Sequence, residues 1–230
     1  MRKVLPVALS VVFLSGGCGL PWLHDGPGDN GDHVVTADRA GRDTATLAVV
    51  SGATTVTVRA ADLHGDLFRI STPDDSGLVP SVDDDLNVHL ADRGGTGPKA
   101  LDILLSDDVT WDLRFSGGAN STLVDLSGGR LAAVDFAAGS SRIEAVLPHP
   151  AGPVRVRMGG GAGEFVVRAP DGVPVRVAAD GGAASVDIDG EHHTGIAGGT
   201  VFVPDGWDAA HDRYDVQNEA GVSTFELTRA

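Results

Sequence analysis

The sequence predicts an all-β chain wound as a single β-solenoid of stacked, roughly 21-residue, two-strand repeats. Three observations predict it. Glycine pairs recur at a fixed period, apolar and polar residues alternate on both sides of each pair, and aromatic residues are scarce. Aromatics make up 5% of the chain, against 32 glycines in 230 residues, a composition suited to thin β-layers joined by many turns.

Aligned on Gly118, Gly139, Gly161 and Gly182, the corners are spaced by 21, 22 and 21 residues. Seven, five and three residues before each corner stand Trp111, Leu113, Phe115; Ala132, Val134, Phe136; Val154, Val156, Met158; and Val175, Val177, Ala179. Four and six residues after it stand Thr122 and Val124, Ile143 and Ala145, Phe165 and Val167, and Val186 and Ile188. Strict period two means strands with one buried face. Such a short unit cannot bury that face alone, whereas stacked copies seal a narrow core between them.

The same form returns upstream in GATTVTVRA from Gly52 and downstream in GVSTFELTR from Gly221, with Phe225 and Leu227 at the matching places. Gly52 lies 66 residues before Gly118, the length of three repeats, so two further corners are expected near Gly77 and Gly95. Pro148, Pro153, Pro170 and Pro174 fall around the opposite turns. A β-sandwich would also show regular short strands, but it does not require residue-by-residue register at a 21-residue offset. Consecutive coils are therefore expected to lie on one another, with Val134, Val156 and Val177 in one ladder.

Ahead of the repeats, Arg2 and Lys3 precede an apolar run from Val4 to Leu14, too short to span a bilayer and suited to a signal-peptide core. LSGGC, ending at Cys18, resembles a bacterial lipoprotein signal, although Leu14 stands four residues before the cysteine where three is preferred. The resemblance implies cleavage after residue 17 and lipidation of Cys18, hence a protein held to the outer face of the cell membrane. The alternative is an ordinary secretory signal and a secreted chain. Cys18 is the single cysteine, so no disulfide within the chain is possible. Residues 18–40, rich in Gly, Pro and Asp and carrying Trp22, read as a flexible tether, and residues 41–230 as the solenoid domain.

The formal charge is −15. Without a basic patch to neutralise phosphates, nucleic acid is not an expected partner. An anionic membrane surface would repel the chain, which leaves attachment to the N-terminal lipid.

GGGAGEFVVRAPDGVPVRVAADGGAASVDIDG from Gly159, IAGGT from Ile196 and WDAAHDRYDV from Trp207 resemble the bacterial putative-adhesin group of toast-rack or GIN-type β-solenoids. The match is good over residues 111–230 and loose over 41–110. It implies an envelope β-solenoid with no established catalytic role and says nearly nothing about a ligand.

Candidate chemistry is sparse. Glu191, His192, His193 and His211 carry metal-ligand atoms, but neighbouring histidines on a strand point to opposite faces, and a polar turn is expected. The acidic stretches at 72–77 and 81–87 raise calcium, yet GGAGEF holds Phe165 where a calcium repeat needs Asp; solvated loops are expected. No GxSxG elbow or GxxxxGK[ST] loop is present. Asp187 and Asp189 are a carboxylate pair on one strand. No catalytic residue, metal or cofactor is therefore assigned.

The chain is expected to act by contact, as a surface scaffold, adhesion or envelope-binding module toward an envelope protein or polysaccharide. A carbohydrate-active enzyme using residues 190–217, or an envelope-stress sensor, are the alternatives. Arg155, Arg157, Arg168 and Arg176 are placed on flat outward faces, Trp207 and Tyr214 over the last coil. Trp207, Tyr214, Arg155 and Arg157 form the candidate ligand surface.

Overall fold

The computed structural model describes residues 23–24 and 33–230. The signal segment, Cys18 and Trp22 lie outside the described residues. In chain order the strands are β1 (Leu23–His24), β2 (Val34–Asp38), β3 (Thr44–Val49), β4 (Ala53–Ala61), β5 (Asp66–Ser71), β6 (Leu78–Val82) and β7 (Asn87–Asp92). Next come β8 (Ala100–Ser106), β9 (Thr110–Phe115), β10 (Ala119–Asp125), β11 (Arg130–Phe136), β12 (Ser140–Val146), β13 (Pro153–Met158) and β14 (Ala162–Ala169). The last are β15 (Val175–Ala179), β16 (Ala183–Ile188), β17 (Glu191–Ile196), β18 (Thr200–Phe202), β19 (Arg213–Asn218) and β20 (Val222–Arg229).

These strands form two facing sheets, and the solenoid is the set of coils that alternate between them. The first sheet runs β1-β2-β5-β8-β4-β10-β12-β14-β20-β16-β17, the second β18-β15-β19-β13-β11-β9-β3-β7-β6. Pairing is parallel from β8 to β16 and from β7 to β15, and antiparallel strands close both ends. β2 lies within the stretch read as tether, so the β-structure is already under way at Val34.

Register follows the repeat through the middle. Ala119 pairs with Ser140, and Ser140 with Ala162, as the glycine alignment requires. One position shifts: Leu131, not Ala132, faces Trp111, because the ladder is irregular between Leu131 and Ala133. The bulge turns the small Ala132 outward and brings a larger apolar side chain into the core.

The order of coils departs from the sequence at both ends. Ala53 pairs directly with Ala119, and Gly52 abuts Gly118, so no coils intervene between these corners. Residues 62–106 instead loop out, and their β7 and β8 stack on the far side of β3 and β4. At the other end, the C-terminal coil β19–β20 inserts between β13–β14 and β15–β16. The valine ladder therefore reads Val134, Val156, Val216, Val177.

Two further columns show what holds the stack together. Val56, Thr122, Ile143, Phe165, Phe225 and Val186 lie in register on the first sheet. Phe115, Phe136, Phe165 and Phe225 meet in succession, with centroids 5.2, 5.9 and 5.6 Å apart. Burying each such ring contributes roughly 1.5–3 kcal/mol, so a continuous column compensates for the scarcity of aromatics elsewhere.

The corners explain the glycines. The amides of Gly159 and Gly160 both donate to the Phe136 carbonyl, as those of Ala137 and Ala138 do to Phe115. This pulls successive corners so close that a Cβ on Gly160 would lie 2.1 Å from the carbonyl carbon of Ala138. Only hydrogen fits there.

Candidate functional site

Arg155 and Arg157 stand at the centre of the outer surface of the second sheet. One row across it reads Asp112, Ala133, Arg155, Asp215, Arg176, and the next Arg114, Asp135, Arg157, Gln217. Arg157 donates to Asp135 at 2.8 Å and to Glu219 at 2.5 Å, and this pairing holds the Glu219 carboxyl below its ordinary range. Arg176 donates to Asp215 at 2.5 Å. Arg168 belongs to the opposite sheet, where it donates to Glu144 at 2.9 Å, while Arg142 bridges Glu144 and Glu164. The Arg168 and Arg142 bonds keep the Glu144 carboxyl ionised below the usual range. Both faces thus carry opposite charges matched between neighbouring coils.

Tyr214 is not part of any exposed surface. It is an inward residue of β19, fully buried, and its hydroxyl donates to the Pro148 carbonyl at 2.6 Å. Burial pushes its phenol well above the ordinary value. Tyr214 and Val216 fall seven and five residues before Gly221, the spacing of every other coil. That signal was in the sequence; the buried polar Asn218 at the third position interrupts the apolar pattern and hides it.

Trp207 sits half-buried in a short 3-10 turn, Trp207–Ala209. Its indole N–H donates to the Tyr214 carbonyl at 2.9 Å, and the guanidinium carbons of Arg213 and Arg176 lie 4.5 and 5.7 Å from its ring. Arg213 also donates to the carbonyls of Trp207, Asp208 and Ala210, and Asp212 accepts from the Gly152 amide at 2.7 Å. These residues pin residues 203–212 against an inner coil. They do not close the end of the stack, because the coil they flank is not the last one.

The other candidates do not converge. His192 is bonded to Asp187, His211 to Asp212, and His193 lies against Phe202. Among the described residues no group of three or more His, Cys, Asp or Glu is arranged to hold a metal. Asp187 and Asp189 do not act as a pair: the chain turns at Asp189 with φ of 51°, and Arg229 grips that carboxylate at 2.6 and 2.8 Å. In the acidic stretch at 81–87, Asp83 accepts from the amides of Asp85 and Asn87, and its carboxylate also bonds the Asn87 and His89 side chains. Led by the Asn87 bonds, its pKa falls to about 2. The loop is organised around one of its own carboxylates.

The feature the sequence did not disclose is the last layer of the stack. β17 sets His193 opposite Val186 and Glu191 opposite Ile188, and β18 sets Phe202 opposite Val177. A cavity of about 380 Å³ opens there, lined by Val175, Ile188, Phe202, Val203 and Pro204 with Asp189, Glu191, His193 and Arg229 around it.

The fold defines the class: a two-faced β-solenoid closed by antiparallel strands. No family model matches the sequence, and no curated protein matches it. Among solved structures, the chain is similar to a "putative cell adhesion protein" from Clostridium sporogenes ATCC 15579, with a TM-score of 0.61 at 16% identity over 86% of this chain and 98% of that one. A "putative adhesin" from Bacteroides fragilis NCTC 9343 aligns at 11% identity over 84% of this chain and 96% of that one, with a TM-score of 0.22.

Proposed function

We infer that this chain is a cell-envelope surface protein, exported and held by a lipid on Cys18, that works by contact and not by catalysis. The observation that carries the reading is the pair of flat, in-register outer faces on which Arg157 with Asp135 and Glu219, Arg168 with Glu144, and Arg142 with Glu164 are already paired across coils. Charges fixed in this way form a preorganised array. A partner polymer or protein lying along the stack meets a repeating pattern without ordering it first. The likeness in fold to a chain described as a cell adhesion protein supports the same direction.

The recognition element of this reading is the second sheet around Arg155, which is exposed beside the Arg157 bridge. The test is retention of the mature domain on isolated cell-envelope material, compared with the Arg155→Glu and Asp112→Lys variants. Retention by the parent and a several-fold loss in the variants is expected. Equal retention of all three, or soluble sugar released from the material, would overturn it. For the anchor, labelled palmitate is expected to enter the full chain and not its Cys18→Ser variant; no label in the parent would reject lipidation.

A further inference from the structure

We propose that the open end of the core is a binding pocket for a cationic amphiphile, an apolar group about the size of one aromatic side chain that carries an ammonium group. The inner coils fill the two inward positions of the first sheet with apolar pairs: Phe165 with Val167, then Phe225 with Leu227, then Val186 with Ile188. The closing strand β17 breaks this rule on the inward side, where it presents His193 and Glu191. A layer that only sealed the core would keep such groups on its outer side.

On the glycine side the corner of the closing layer stacks tightly on the coil beneath it, where Gly182 abuts the backbone of Ile196 and Gly198. On the other side, between Asp189 and Val203, the closing layer leaves the cavity open. At about 380 Å³ it falls in the lower range of small-ligand pockets. Five of its lining residues are apolar and four are charged or polar, and Val203 on its lip is 53% exposed.

Charge selects the ligand. Asp189 and Arg229 neutralise one another, and Arg229 also donates to the Val173 carbonyl at 2.7 Å, so its guanidinium is committed. Glu191 is exposed and makes no ion pair among the described residues. An apolar group seated on Ile188, Phe202 and Val203 would bring an attached ammonium to this carboxylate, in a chain of net charge −15. An anion of the same shape would be repelled. The pocket is separate from the outer faces, so its failure leaves the contact reading untouched.

The test is methyl and amide NMR of the mature domain titrated with tryptamine and, separately, with indole-3-propionate, which has a similar ring and length and the opposite charge. Tryptamine is expected to give saturable shifts at Val175, Ile188 and Val203 at millimolar concentration, with the propionate about two- to fivefold weaker. Glu191→Gln is expected to erase that preference. Phe202→Ala is expected to weaken both probes, and the surface change Val203→Ser gives the same direction without disturbing the fold. Shifts that rise linearly, that map to other faces, or that favour the propionate would overturn the proposal. An N-acetyl-Trp-Lys-amide titration separates sources: tighter binding than tryptamine points to a polypeptide partner, weaker binding to a free amine, and either supports the pocket.

Discussion

Val216 pairs with both Val156 and Val177. A residue near the C-terminus thus separates two valines that are consecutive in the repeat. The outermost parallel coil, β15–β16, is made before the coil on which it rests, and the last residues of the chain complete the stack from within.

This order makes the C-terminal coil a load-sharing layer. Phe225 is fully buried, lies 5.6 Å from Phe165 and faces Val186. Phe225→Ala is expected to cost about 3–5 kcal/mol in urea unfolding. Ile188→Ala, at the partly open end, should cost clearly less. Similar costs for the two would contradict the placement of the C-terminal coil.

The glycine corners give an opposed pair. Gly160→Ala would force a Cβ onto the backbone of Ala138, and a loss of at least about 2 kcal/mol is expected. Gly128 has open space around its Cβ position and no left-handed φ. There, Gly128→Ala should be neutral or stabilising by about 0.4–1 kcal/mol, as thermal unfolding will show.

Tyr214 is the only tyrosine in the chain, so its ionisation can be followed at 295 nm without interference. Its folded-state phenol titrates above the ordinary value because burial opposes the charged form. The resulting stability is complete below about pH 10 and is lost as pH rises beyond it. Phenolate absorbance is expected to appear only together with unfolding. A titration near pH 10 in the folded protein would place Tyr214 at the surface. Tyr214→Phe removes this alkaline loss, and it costs about 1–2 kcal/mol at neutral pH by leaving the Pro148 carbonyl without its donor.

Asp83 sets the acid side. Its carboxyl titrates at about 2 against 3.8 for an unperturbed group, so the folded state holds the ionised form more strongly than the unfolded state does. The stability this provides is present above about pH 5 and fades as pH falls toward 2. Asp83→Asn should lower the melting temperature at pH 7, with the two proteins converging near pH 2. A gap that does not change with pH would remove the role given to the Asn87 and His89 bonds.

How much of this could be read from the sequence depended on what each signal measures. Corners and inward residues were legible because glycine spacing and period two report local geometry, and both hold from Trp111 to Ile188 except at the bulge that puts Leu131 inward in place of Ala132. The order of the coils was not legible. Register between parallel strands says which residues are equivalent, not which are neighbours, so Gly52 beside Gly118 and Val216 beside Val177 needed the pairing itself. Tyr214 misled because its coil lacks the third apolar residue, where Asn218 stands. Arg155 and Arg157 were placed on an outer face correctly, but their partners Asp135 and Glu219 lie on other coils and share no local pattern with them. The end pocket arises from β17 and β18, which pair antiparallel and carry no repeat.

Cysteine cross-linking of the mature domain, in a Cys18→Ser background, tests the interleaved stack most directly. Thr224 pairs with Glu164 on one side and Ser185 on the other. Oxidised Glu164→Cys/Thr224→Cys and Ser185→Cys/Thr224→Cys proteins are expected to form an intramolecular disulfide. Glu164→Cys/Ser185→Cys should not, because two strand spacings, roughly 9.5 Å, exceed the roughly 7 Å that a disulfide can span. A bond between positions 164 and 185, with none from either to 224, would mean that the coils stack in the order of the sequence and that the account is wrong.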